Sequence, residues 1–294
     1  LERNDTLADI TALSSLTAVD NLELHTLPLL TSLSGLEGLT QLPGSVRLSK
    51  LPLLGSLEGL SNLSGVGWAF SVRECDRLTT LSPVALEAVD IIHLEHNAAL
   101  ADLRGLENIP GELQRLNLVD NPALTNLSSL SVRTVSYVDI SESALTTLSG
   151  LGSITDVRTV TLRANPLLKD TTWLTGLTSL GNLKVVGNPL LVKLKGPDID
   201  KLWKLQVHKN QNLVKISGFG GVETVNTVEL MDNPALRDLT GFDALTTIEN
   251  LTILRTDRLR ALPESLTDAT VKYCPAPDSA LQDLLTRRGI PCGR

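Results

Sequence analysis

Aromatic side chains make up only 3% of the 294 residues, and there is a single methionine. A core this poor in rings must be layered from leucine and valine. No run of 18 consecutive apolar residues occurs, so no segment reads as a membrane-spanning helix. The net charge is −7 and the pI is near 5.2. The basic stripe that phosphate binding requires is missing, which argues against a nucleic-acid partner. The chain also lacks a nucleophile elbow, a glycine-rich phosphate loop and a recurring pair of acids, so it is not read as an enzyme and no cofactor is expected. His93 and His96 are three apart across a strand and turn, a spacing that sends them to opposite faces and argues against zinc. No signal peptide is visible and no initiator Met is present, which reads as a processed or excised chain.

What the chain has instead is one phrase written eleven times. Two apolar residues spaced by two are followed by a polar turn and then Asn-Pro-x-Leu or a variant. The clearest copies run Leu116–Leu124, Val160–Leu168, Leu183–Leu191 and Val228–Leu236. The asparagine position is filled in turn by Leu27, Leu51, Cys75, Asn97, Asn121, Ser143, Asn165, Asn188, Asn210, Asn233 and Thr256, at gaps of 22 to 24 residues. Such a period means stacked coils, each burying its apolar face on its neighbours. The predicted fold is therefore a repeat solenoid of about 11 coils, of the right-handed parallel β-helix-like, leucine-rich type. Residues 1–273 form one solenoid domain on this reading, and residues 274–294 form a C-terminal helical cap.

The turn chemistry has a physical reason. An Asn side chain carries both donor and acceptor, so stacked Asn97, Asn121, Asn165, Asn188, Asn210 and Asn233 can form a structural ladder with buried turn backbone. Cys75, Ser143 and Thr256 substitute in part, whereas Leu27 and Leu51 make the ladder apolar in the first two coils. Glycines at 35, 59, 105, 150, 176, 218 and 241 follow the outer leucines, where a corner needs positive φ or close backbone approach.

Cys75 occupies an inward position and reads as a small buried hydrophobe. Cys274 and Cys292 bracket the tail, in which Leu281, Leu284 and Leu285 have helical spacing, Asp278 or Ser279 is the cap and Gly289 the stop. A Cys274–Cys292 disulfide, favoured over two free thiols, would pin that helix as a lid with about 3 kcal/mol of stabilisation. It would also place the chain in an oxidising compartment: secreted, periplasmic or at the cell surface.

The stretch Gly105–Leu124, Gly-Leu-Glu-Asn-Ile-Pro-Gly-Glu-Leu-Gln-Arg-Leu-Asn-Leu-Val-Asp-Asn-Pro-Ala-Leu, resembles the repeat of receptor L domains, the leucine-rich β-solenoids of insulin- and EGF-receptor ectodomains. It is also similar to leucine-rich-repeat surface proteins and lipoproteins of bacteria, including myxobacteria. The tail from Tyr273-Cys274-Pro275 to Cys292-Gly293 resembles the Cys-bounded cap of the bacterial set. The resemblance implies a solenoid of this type and an extracellular recognition role. The cysteine-rich modules that flank receptor L domains are missing from this sequence, so a hormone-receptor role is not implied.

Function must then lie in the outward strand positions, which form columns about 4.8 Å apart in a parallel stack. Their chemistry does not repeat. The densest mixture is Arg73, His93, Glu95, Arg115, Asn117, Tyr137, Asp139 and Arg163, and Tyr and Arg are the best interface anchors. These residues are the candidate surface for a protein or glycan at the cell surface. Other readings are a wall or matrix scaffold or adhesin without a discrete ligand and, less favoured, a polysaccharide-active β-helix enzyme. Val186, Met231 and Leu254 form a second, apolar patch that suits a homodimer surface or the rim beneath a C-terminal loop.

Overall fold

The apolar–polar–apolar triplets form strands because side chains two residues apart return to the same face, so both apolar residues of each triplet enter the core. In the computed structural model they build a parallel β-solenoid of about ten turns with little helix. The structure describes residues 1–109, 111–127, 130–266, 271–273 and 279–290. It divides into two compact units, residues 1–145 with 149–154, and residues 146–148 with 155–294.

In the first unit the strands of the main sheet are Leu22–His25 (β1), Val46–Ser49 (β2), Ala69–Arg73 (β3), Ile91–Glu95 (β4), Glu112–Val119 (β5) and Thr134–Ser141 (β6). Each pairs in parallel with the next in chain order. In the second unit Asp156–Arg163 (β7), Ser179–Val186 (β8), Lys201–His208 (β9), Thr224–Met231 (β10), Thr247–Leu254 (β11) and Val271–Tyr273 (β12) do the same. Register follows the repeat, with Leu183 against Leu205 and Leu205 against Val228. The leucines at spacing three line the returning side of each coil, and Leu27, Leu30, Leu33, Leu36, Leu39 and Leu42 are all buried. Burying each such side chain favours folding by about 1.5–3 kcal/mol before chain entropy is counted. Phe219 and Phe242 stack in successive coils with ring centroids 4.8 Å apart.

The six ladder asparagines are fully buried. The Asn97 amide donates to Asn121 Oδ1 at 3.2 Å, Asn165 to Asn188 at 3.1 Å, Asn188 to Asn210 at 2.9 Å and Asn210 to Asn233 at 3.1 Å. Their Nδ2 groups reach back to the preceding coil, from Asn188 to the Leu162 carbonyl at 3.0 Å and from Asn233 to the Val207 carbonyl at 2.7 Å. Shorter side chains bond nearer home: Cys75, Ser143 and Thr256 each donate to the carbonyl two residues upstream. Burial pushes the Cys75 thiol up to about 12.

The turn also contains a feature that the Asn-Pro phrase conceals. The residue immediately before each ladder position has positive φ: Thr26, Lys50, Glu74, His96, Asp120, Glu142, Ala164, Gly187, Lys209, Asp232 and Arg255. Arg3, before Asn4, extends the series by one. A non-glycine residue there costs about 1–2 kcal/mol. The backbone bond to the next coil offsets this, since the amides of His96, Ala164, Lys209 and Asp232 donate to Val119, Val186, Met231 and Leu254 carbonyls at 2.8–3.0 Å.

The seven corner glycines divide by cause. Gly35, Gly105 and Gly218 combine positive φ with close approach, a Cβ lying 2.5–2.8 Å from a neighbouring carbonyl oxygen. At Gly59, Gly150 and Gly241 the need is close approach, since a Cβ would lie 1.9 Å from the Leu33 carbonyl oxygen, 2.3 Å from Leu127 C and 2.3 Å from Ser217 Cα. Gly176 has neither constraint.

A helix, Ser279–Arg287 (α1), follows β12. It ends as its sequence dictates, with Gly289 at φ +73° and the Ile290 amide donating 2.9 Å back to the Leu285 carbonyl. Leu285 and Ile290 are buried, and Arg288 donates to the Leu262 carbonyl at 3.3 Å. Cys274 and Cys292 lie outside the described residues.

Candidate functional site

The inward triplet residues of β3–β6 are fixed by the core, which leaves the alternate residues facing outward in register. One column carries Ser71, His93, Asn117 and Asp139; the column after it carries Arg73, Glu95 and Val119 and ends at Ser141, which is buried. The column before it carries Ile91, Arg115 and Tyr137. The structure therefore brings together seven of the eight candidate residues within the first unit. Arg163 is exposed on β7 of the second unit.

These side chains are organised. Arg73 Nη2 lies 2.8 Å from Glu95 Oε2, and His93 Nδ1 lies 3.4 Å from Glu95 Oε1. Asn117 Nδ2 is also 3.4 Å from His93 Nδ1. That nitrogen donates to Glu95 in one tautomer and accepts from Asn117 in the other. The Arg115 guanidinium sits 4.8 Å above the Tyr137 ring centroid, within cation–π range. Tyr137 is 38% exposed. Ser141 donates to the Asp139 carboxylate.

The second unit has its own cluster. Glu229 accepts from Gln206 at 2.6 Å and pairs with Lys204 at 2.9 Å. Burial works to raise the Glu229 carboxyl, but these two donors outweigh it and hold it below the usual carboxylate range. His208, beside it, is pushed below the usual imidazole value by burial. Val186, Met231 and Leu254 share the column of His208, half-buried, so the apolar patch is interrupted by an imidazole.

Sequence reasoning missed a third place. The long strands bend at their third residue, because two residues rather than one separate the first inward side chain from the second. In β9 these are Leu202 and Leu205, with Trp203 and Lys204 between them. The bend opens a groove of about 530 Å³ along β8–β11, lined by Ser179, Gly181, Asp200, Lys201, Trp203, Asn226 and Glu249 among others. Trp203 is 64% exposed, more than any other large apolar residue of the described chain. The sequence signal was available: Trp203 is a large aromatic at an outward position.

A scan against protein-family models finds no match to this chain, and a search of characterised proteins finds no significant relative.

Proposed function

We propose that the chain is a non-enzymatic recognition module that binds a partner protein through the outward face of β3–β6, at the cell surface or in another extracellular compartment. The observation that carries this reading is the arrangement of Arg115 on Tyr137, at 4.8 Å, beside the Arg73–Glu95–His93 network. Side chains already held in place lose less entropy when a partner docks, and Arg and Tyr are the residues that most often dominate binding energy. A sheet face of mixed charge suits another protein's surface. The non-enzymatic part is supported by the state of the reactive groups: Glu95 and Glu229 are tied into ion pairs, and Cys75 is buried with a strongly raised pKa. On the same reading the coils are of the leucine-rich receptor-L type, and α1 closes the last of them.

The test is capture of partners on the immobilised intact chain, compared with an Arg115→Ala, Tyr137→Ala double variant. Capture should be lost while the melting temperature stays unchanged, because both side chains lie on the outward face. Undiminished capture by the double variant would refute the assignment of this face.

A further inference from the structure

The groove at the strand bends carries an inference independent of the β3–β6 face. We propose that it binds a neutral, extended, β-1,4-linked chain of pyranose sugars, with Trp203 as the stacking platform.

The argument begins with why the indole is bare. Gly181 in the preceding coil and Asn226 in the following coil hold the positions equivalent to Trp203, each just before a residue paired with Lys204, and all three line the groove. Gly181 has no side chain to cover the ring, and a Cβ there would lie 2.7 Å from the Arg158 carbonyl oxygen. The glycine therefore satisfies a close backbone approach and leaves one flank of the indole open. The apolar residues at the base of the groove, Leu180, Leu202 and Val225, are almost completely buried. The apolar surface on offer is thus chiefly the Trp203 ring, and the rim is polar, with Ser179, Lys201, Asn226 and Glu249.

A flat apolar plate inside a polar rim matches a particular chemistry. A pyranose whose hydroxyls are equatorial presents axial C–H bonds on its faces and hydroxyls on its edge. The faces stack on an aromatic plane, and the edge bonds to carboxylate, amide and hydroxyl groups that accept and donate. A peptide binding by strand addition would need a free strand edge. Here β9 and its neighbours β8 and β10 are already paired with each other.

The pitch agrees as well. Successive coils present equivalent positions about 4.8 Å apart, close to the advance of one β-1,4-linked pyranose residue. The groove spans four strands, so three to four sugar units lie along it, one per coil, with one of them over Trp203.

The test is calorimetric and fluorescence titration of the intact chain with cellohexaose, chitohexaose and, as a helical α-1,4-linked comparison, maltohexaose. Binding should appear for a β-1,4 hexaose, strengthen from disaccharide to tetraose and then level off. Trp203→Ala should weaken it about tenfold or more and Trp203→Phe by less, as expected for an aromatic anchor. The Arg115→Ala, Tyr137→Ala variant should bind as wild type, which separates this site from the β3–β6 face. Circular dichroism of Trp203→Ala should be unchanged, since the indole is not in the core. No binding by either β-linked hexaose at millimolar concentration would overturn the proposal. So would undiminished binding by Trp203→Ala, or equal affinity for maltohexaose.

Discussion

Removing one rung of the asparagine ladder should cost far more than one hydrogen bond. Asn188 accepts from the Asn165 amide at 3.1 Å and from Asn165 Nδ2 at 3.3 Å, and it donates to the Leu162 carbonyl at 3.0 Å and to Asn210 Oδ1 at 3.3 Å. Asn188→Ala strips a partner from two backbone groups and two side chains inside the core. A buried polar group left unsatisfied costs about 1–3 kcal/mol. With two backbone groups affected and a cavity added, the loss is about 3–5 kcal/mol. That is a large share of a typical domain's total stability of about 5–15 kcal/mol.

Urea unfolding followed by circular dichroism gives the loss, and hydrogen exchange gives its location. The Asn165 amide should exchange much faster in the variant, while β1–β3 of the first unit should keep their protection. Because coils in a solenoid stabilise mainly their neighbours, the variant should unfold in two steps or with a reduced denaturant slope. Asn188→Leu supplies the control. It restores volume, as Leu27 and Leu51 do in the first coils, but leaves the Asn165 amide without its acceptor. It should recover part of the loss only. If Asn188→Leu matches wild type in both stability and exchange, packing alone sustains the ladder and the hydrogen-bond argument fails.

Two further outcomes can be checked with the same material. Gly59→Ala should destabilise by about 2 kcal/mol or more, since its Cβ would meet the Leu33 carbonyl oxygen at 1.9 Å, whereas Gly176→Ala, with nothing within 4 Å, should be neutral or slightly stabilising; equal melting temperatures for the pair would show that the corner relaxes freely. Burial lowers the His208 pKa in the folded state, with Glu229 and Asp232 opposing and Lys184 and Lys204 assisting, so the unfolded chain takes up the proton more readily. Stability should therefore fall as the pH drops through the ordinary imidazole value of about 6.5. Depressed carboxyls such as Glu229 and Asp238 stabilise above their unfolded values, and that contribution is lost only below about pH 4. His208→Gln should flatten the melting-temperature profile in the upper window and leave the lower one intact; an unchanged upper slope would refute the assignment to His208.

The parallel stack and its register were legible because both follow from spacing. Leucines at three and triplets at two leave few other ways to bury the apolar residues, and the Asn-Pro phrase marks one turn per coil. The left-handed residue before each ladder position was not legible, because glycine fills it only once, at Gly187, and Thr, Lys, Glu, His, Asp, Ala and Arg fill it elsewhere. Its cost is met by a backbone bond to the next coil, and backbone bonds leave no mark on residue type. The three outward columns could be written down from the sequence. Which of their members touch could not, since the Arg115–Tyr137 stack and the Glu95 pairs depend on side-chain direction. The Trp203 groove was hidden for a third reason. It arises at a bend where two outward residues occur in succession, and a strict alternation of inward and outward residues passes over it.

That bend also explains why one solenoid can carry two unlike surfaces. Beyond the bend, outward residues alternate with core leucines on a paired strand, so neighbouring columns hold their side chains parallel and side by side. Long charged groups then pair across coils, as Arg73 does with Glu95 and Lys204 with Glu229, and the face is covered by its own salt bridges. At the bend, the register skips the third strand residue: Leu202 pairs with Val225 and Lys204 with Thr227, but Trp203 lies between them. A side chain there lies outside the paired columns. The first geometry produces a flat, charged, self-satisfied surface that another protein can match. The second produces a trough with a repeating pitch and an uncovered ring, which suits a ligand that itself repeats.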